Sequence, residues 1–239
     1  MQDETLALDS KQIEKKFGYA YAVRDVSLQV RRGEFVVLFG SNGAGKTTFL
    51  KVVATLMRPT KGTLAVEGFD VGRQPEGARR KIGFLSHNTF VYRDLSALEN
   101  LRFFHRLYGI EQSDERLLDI LERVDLRRRA NDPVRAYSRG MQQRLGIARA
   151  LLHDPSLILL DEPYTGLDAK AAATLNGILD QAFASGKTVI LTSHDLEHGL
   201  RAATRAVILD RGIVVHDSPA GDPATREAYA HHIHGGNAR

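Results

Sequence analysis

With 239 residues, 43% of them hydrophobic and 26% charged, the chain carries enough apolar material for one large domain, or a core with an inserted subdomain, without covalent staples. It has no cysteine, which excludes disulfides and thiolate metal sites. The net charge of +4 is spread along the chain, and its densest run, Arg127-Arg128-Arg129, reads as a solvated helix end, so no direct nucleic-acid contact is expected.

The first residues, Met1 to Ser10, are acidic and lack a signal-peptide pattern, so a cytoplasmic protein is expected. The stretch to about Ser86 predicts strands at Ser27–Val30, Glu34–Phe39, Gly62–Val66 and Ile82–Leu85. From about Asn88 to His153 the period becomes helical, over Ala97–Tyr108, Glu115–Val124 and Gly140–Leu152. Strands then return at Leu157–Leu160, Thr188–Thr192 and Ala206–Asp210, separated by helices at Ala169–Ala184 and Leu196–Ala203. Strand and helix in alternation predict a parallel sheet with helices on its faces. The tail from Gly221 is polar and is expected to be less ordered; His231, His232 and His234 in it are assigned no metal. No apolar run approaches the ~20 residues of a spanning helix.

Between the strand ending at Phe39 and a helix-forming stretch from Thr48 to Leu56 lies Gly40-Ser41-Asn42-Gly43-Ala44-Gly45-Lys46-Thr47. This is the G-x-x-x-x-G-K-[ST] pattern in its required strand–loop–helix setting. Glycines let backbone N–H groups turn inward around a polyphosphate, and the helix adds its positive end. Lys46 is expected on the β- and γ-phosphates and Thr47 on Mg²⁺. Far along the chain, Leu157-Ile158-Leu159-Leu160 ends in Asp161-Glu162. Side chains alternate along a strand, so one acid, Asp161, suits Mg²⁺ through water and the other, Glu162, an attacking water. Binding of a nucleoside triphosphate with Mg²⁺ follows.

These motifs resemble the ATP-binding cassette (ABC) ATPases, over about Ser10 to Asp217. Pro163-Tyr164-Thr165-Gly166-Leu167-Asp168 is similar to the family's D-loop, and Thr192-Ser193-His194-Asp195 to its switch-histidine loop, where His194 would contact the γ-phosphate and the catalytic carboxylate. Tyr137-Ser138-Arg139-Gly140-Met141 is a divergent form of the signature Leu-Ser-Gly-Gly-Gln; Ser138 and Gly140 are kept, Arg139 and Met141 depart. The resemblance implies an α/β fold: a P-loop NTPase core of mostly parallel sheet with flanking helices, an N-terminal antiparallel β-subdomain and an inserted α-helical subdomain. It implies one nucleotide-binding domain over 1–220, with its core at 1–87 and 154–220, the helical subdomain at 88–153, and a polar tail at 221–239.

It also implies ATP and Mg²⁺ as cofactors, catalytic roles for Glu162, His194, Lys46 and His87, and an ATP-binding set of Phe17, residues 40–48 and Ser138 with Gly140. Phe17 is the expected adenine-stacking aromatic, with Tyr19 as the alternative. His87 stands where most members carry a glutamine that touches Mg²⁺, and an imidazole can replace that role or weaken it. Two cassettes are expected to sandwich ATP at their interface, bound to an integral membrane permease on the inner face of the membrane, with no direct cargo contact. Phe90, Tyr92, Leu95, Phe103 and Phe104 are candidates for the groove that receives the permease. The run from Leu85 to Leu101 is similar to ATPases of the cytochrome c maturation haem exporter, with drug or lipid exporters as the rival reading and a non-transport ATPase as a more distant one.

Overall fold

The computed structural model describes residues 5–86, 88–110 and 113–234. The chain opens with two long strands, β1 (Leu6–Phe17) and β2 (Ala20–Arg31), then β3 (Phe35–Phe39) and helix α1 (Lys46–Val53). β4 (Lys61–Val66), β5 (Phe69–Asp70), a short α2 (Pro75–Arg79) and β6 (Ile82–Leu85) follow. Helices α3 (Ala97–Leu107), α4 (Asp114–Arg123) and α5 (Arg139–Leu151) lead to β7 (Leu157–Asp161), α6 (Ala169–Ala184), β8 (Thr188–Ser193) and α7 (Leu196–Leu200). The chain closes with β9 (Arg205–Asp210), β10 (Ile213–Pro219), α8 (Pro223–Tyr229) and a π-helical turn at Ala230–His234.

The strands form two sheets. An antiparallel one has the order β2-β1-β4-β5; a six-stranded one has the order β10-β9-β3-β8-β7-β6, parallel except for β10 at its edge. The predicted parallel sheet is therefore present, and the N-terminal sheet is antiparallel. Periodicity misses β1 because its pairing is broken by bulges; at one of them buried Ser10 both accepts from the Leu28 N–H and donates to the Leu28 carbonyl. β5, α2 and β10 are too short or too mixed in polarity to announce themselves.

β3 shows how the core is divided. All five of its residues are buried, yet Val36 and Leu38 pack with α1 and the antiparallel sheet, while Phe35, Val37 and Phe39 pack with α6 and Tyr229. That is the two-residue alternation of a strand covered on both faces. A third apolar cluster, including Leu101, Leu117, Leu121 and Leu145, lies among α3, α4 and α5. Each of these helices starts at a serine whose hydroxyl caps it: Ser96 in a reciprocal pair with Glu99, then Ser113 and Ser138. α5 meets the sheet closely at Gly83, where an added Cβ would lie 2.4 Å from the Ala150 carbonyl oxygen.

One expectation fails. The tail from Gly221 is not simply a polar extension: 223–229 is helical, capped by Asp222, and Thr225 and Tyr229 are buried. Its apolar residues are few, but Tyr229 anchors it to the core beside Phe39.

Candidate functional site

The carboxyl ends of β3, β7 and β8 lie side by side. Asp161 is paired across the parallel ladder with Thr192, and Phe39 with Ser193, so the residues that follow these strands converge on one edge of the sheet. The loop 40–47 leaves β3 there. Gly45 holds φ at 103°, and an added Cβ would sit 2.2 Å from the Ala22 carbonyl oxygen, so only glycine fits between the loop and β2. The loop is also tied to the β9–β10 turn, since the Gly212 N–H donates to the Ala44 carbonyl.

Lys46, 6% exposed, donates from Nζ to the Gly40 carbonyl at 2.6 Å and the Ser41 carbonyl at 3.3 Å. The same ammonium is 3.3 Å from Glu162 Oε1, an ion pair without hydrogen-bond alignment. The Thr47 hydroxyl donates to Asp161 Oδ1 at 2.9 Å. Thr192 donates to the same oxygen at 2.9 Å while accepting from the Glu162 N–H at 2.9 Å. One hydroxyl thus fixes both acids. Glu162 has φ at 50°, a left-handed conformation uncommon outside glycine and of the kind that persists where the surroundings hold it. Its Oε2 lies 2.7 Å from His194 Nδ1. With the proton on Nδ1 facing the carboxylate, the neutral ring leaves Nε2 as an acceptor.

A hydroxyl and a buried carboxylate hydrogen-bonded to each other offer the oxygen donors that a hard divalent cation requires, so Thr47 and Asp161 fit Mg²⁺. The expected core residues are therefore together: the loop with Lys46, Thr47 and Thr48 at the start of α1, then Asp161, Glu162 and His194. His87 lies outside the described residues.

Two groups stand apart. Ser138 is exposed, and its hydroxyl accepts from the Met141 N–H at the start of α5; among the described residues no hydrogen bond joins it to the loop 40–47. Gly140 packs against Ala171 and Leu167, the Arg139 guanidinium lies over Gly166, and Gln143 donates to the Pro163 carbonyl at 3.3 Å. The signature helix is thus coupled to the segment directly after Glu162. Phe17, 53% exposed, ends β1 with the Lys15 ammonium 5.5 Å from its ring centre, and Tyr19 is fully exposed on the adjoining turn. Both belong to the hairpin whose Ala22 abuts Gly45.

Motif reading passes over Thr192 as a functional residue, although it opens the Thr-Ser-His-Asp string; only the ladder shows that its hydroxyl lies between the two acids.

The family model described as ABC transporter matches residues 23–165, a span holding the loop, the signature and both acids. The chain belongs to the ABC transporter family. It is an ATP-binding subunit of that family, and an ATPase. It is 38% identical over 215 residues to the ABC transporter ATP-binding protein NatA of Bacillus subtilis (strain 168), covering 89% of this chain and 87% of the relative. Over 210 residues it is 38% identical to the Nod factor export ATP-binding protein I of Cupriavidus pinatubonensis (strain JMP 134 / LMG 1197), covering 87% of this chain and 65% of that protein. It is 36% identical over 224 residues to the daunorubicin resistance ATP-binding protein DrrA3 of Streptomyces coeruleorubidus, with 93% and 70% covered. Among solved structures, the ATP-binding cassette MJ0796, a dimer in a post-hydrolysis state bound to ADP and Pi, superposes with a TM-score of 0.83 at 31% identity, covering 90% of this chain and 99% of that one.

Replacing Thr192 by valine keeps the shape and removes the shared hydroxyl. Leaving the Glu162 N–H without its acceptor should cost about 1–3 kcal/mol in urea unfolding. ATP turnover should fall by about tenfold as Asp161 and Glu162 lose their common anchor. Wild-type turnover in this variant would contradict the role assigned to the hydroxyl.

Proposed function

We propose that this ATPase drives export through a membrane permease, by ATP-dependent closure of two cassettes that complete each other's sites. The observation that carries this reading is the separation of the two phosphate-binding devices. The Lys46 loop and the acids occupy the sheet edge, whereas among the described residues the capped, exposed N-terminus of α5 at Ser138 makes no hydrogen bond to that loop. A helix N-terminus binds anions, and a second copy turned by a two-fold axis brings Ser138 and Gly140 to the γ-phosphate. The dimeric MJ0796 structure supports this arrangement.

In each site, Phe17 stacks on adenine and residues 40–48 hold the phosphates, with Lys46 moving its donors from loop carbonyls to phosphate oxygens. Thr47 and Asp161 hold Mg²⁺, which when bound neutralises phosphate charge. Glu162 orients and activates the attacking water, and His194 holds that carboxylate through Nδ1 beside the γ-phosphate. His87 belongs to the same proposed set. In domain terms, we assign one nucleotide-binding domain over 1–220 with the helical subdomain at 88–153.

The contact for the permease is a groove of about 590 Å³ between the sheet and the helical cluster, walled by residues including Leu56, Phe84, Phe90, Tyr92 and Phe104. Of the five residues expected there, Phe90, Tyr92 and Phe104 line it; Leu95 and Phe103 are not among its walls, Phe103 instead packing edge-on against Tyr92. Arg149 forms part of the floor, donating to the Phe84 carbonyl, and its burial lowers its pKa from the ordinary arginine value. Exposed aromatics around a concavity favour a partner's apolar helix. Among the described residues no helix is long and apolar enough to cross a membrane. As the partner of a permease, the chain is placed on the cytoplasmic face, with cargo contacts left to that subunit.

For cargo we favour the drug or lipid class. A relative named for Nod factor export and another for daunorubicin resistance support it, whereas haem export rests on sequence resemblance, that of the run from Leu85 to Leu101 foremost.

A Glu162→Gln chain should form a dimer by light scattering with saturating ATP and Mg²⁺ and return to monomer without nucleotide; a monomer under both conditions would overturn the sandwich for the isolated chain. Tyr92→Asp should abolish co-purification of the permease from detergent-solubilised membranes while leaving ATP turnover of the isolated chain within about twofold. Retained co-purification would move the contact elsewhere.

A further inference from the structure

The switch histidine is held in an unusual way. Its imidazole is more than half exposed and, among the described residues, bonds to Glu162 alone, so packing does little to fix it. Its backbone is better anchored. Ser193 closes a tight turn with the Asp195 backbone, Asp195 caps α7, and the His194 carbonyl accepts a short hydrogen bond from the Tyr229 hydroxyl.

Tyr229 sits on α8, 35 residues further along the chain. Its ring meets Phe39 edge to face, with centroids 5.2 Å apart and planes at 82°. Phe39 is the last residue of β3, directly before Gly40. On another side Phe39 receives Gly199 of α7, where an added Cβ would lie 2.5 Å from the ring, so α7 can approach only because that position is glycine. A single side chain thus spans from the strand that delivers the phosphate loop to the loop that carries His194. α8 is fixed in turn: Thr225 is fully buried and bonds Ser218 of β10 at 2.8 Å, and Arg226 pairs with Glu197 of α7 at 2.8 Å. Burial, followed by the nearby charges of Asp195 and Glu162, pushes the Tyr229 phenol above its ordinary pKa, so it remains a donor wherever the enzyme works.

We propose that Tyr229 is a positioning residue for ATP hydrolysis: its hydroxyl, braced on Phe39, holds the His194 carbonyl so that the imidazole meets Glu162. The C-terminal helix is then a working part of the ATPase site. This inference rests on the reading of His194 and Glu162 as the hydrolytic pair. Geometry held this tightly matters because small misplacements of a catalytic group are costly in rate.

The test uses the full chain. Tyr229→Phe keeps the ring on Phe39 and removes the hydroxyl, so folding is preserved and the melting temperature checks it. Its kcat should fall about five- to tenfold with KM for ATP within about twofold, because ground-state nucleotide binding does not involve this bond. His194→Ala alone should lose most turnover, and adding Tyr229→Phe to it should change the residual rate by less than about twofold, since the two act through one group. Wild-type kcat in Tyr229→Phe, or an equal further loss in the His194→Ala background, would overturn the proposal and leave the hydrolytic pair standing. Wild-type turnover in His194→Ala would overturn the pair itself, and the proposal with it.

Discussion

The buried carboxylate of Asp161, accepting at one oxygen from both Thr47 and Thr192, is the interaction on which the rest of the site depends. It joins three segments that are distant in sequence: the loop after β3, the end of β7 and the end of β8. The joint is available because those strands are parallel neighbours in register, which brings their carboxyl ends to one edge. Thr192 then extends it to the Glu162 backbone, and Glu162 to Lys46 and His194. A charge taken out of water must be paired or hydrogen-bonded, and here the partners of the two acids include Lys46, Thr47 and His194, residues of the proposed nucleotide site.

Much of this was legible before any coordinates. The glycines, Lys46 and Thr47 are tied to one another by spacing along a continuous chain, and Asp161-Glu162 by the end of an apolar strand; such local constraints survive in a linear text. The inserted helices were equally visible, because an apolar stripe at helical spacing is a local signal. What the sequence concealed is what depends on contacts between distant segments. β1 hides because bulges break its alternation, and Ser10 repairs the ladder with a side chain that no periodicity reveals. Thr192 looks like any strand threonine until its ladder partner is known to be Asp161. Tyr229 lies in a stretch whose polarity suggested little order, and a single aromatic docked on Phe39 reverses that reading.

The exposed surfaces follow the same logic. Ser138 spends its hydroxyl on capping α5 and leaves the helix terminus open, while Arg139 and Gln143 bind α5 to the turn after Glu162. A phosphate bound at α5 would therefore be felt at Glu162 through a few packed residues. On the other side of the helical cluster, Arg149 floors the aromatic groove from the same helix α5, so one rigid element carries both the signature and part of the proposed permease seat. Under the proposed function, that shared helix would link nucleotide state to the position of the partner.

The account's central claim, that two copies complete one another's sites, is tested most directly by disulfide cross-linking, which this cysteine-free sequence allows without background. Cysteines placed at Ser41→Cys and Arg139→Cys in one chain carrying Glu162→Gln should yield a covalent dimer under mild oxidation with ATP and Mg²⁺, and little without nucleotide. Absence of the dimer with ATP, while ATP binding itself is retained, would contradict it.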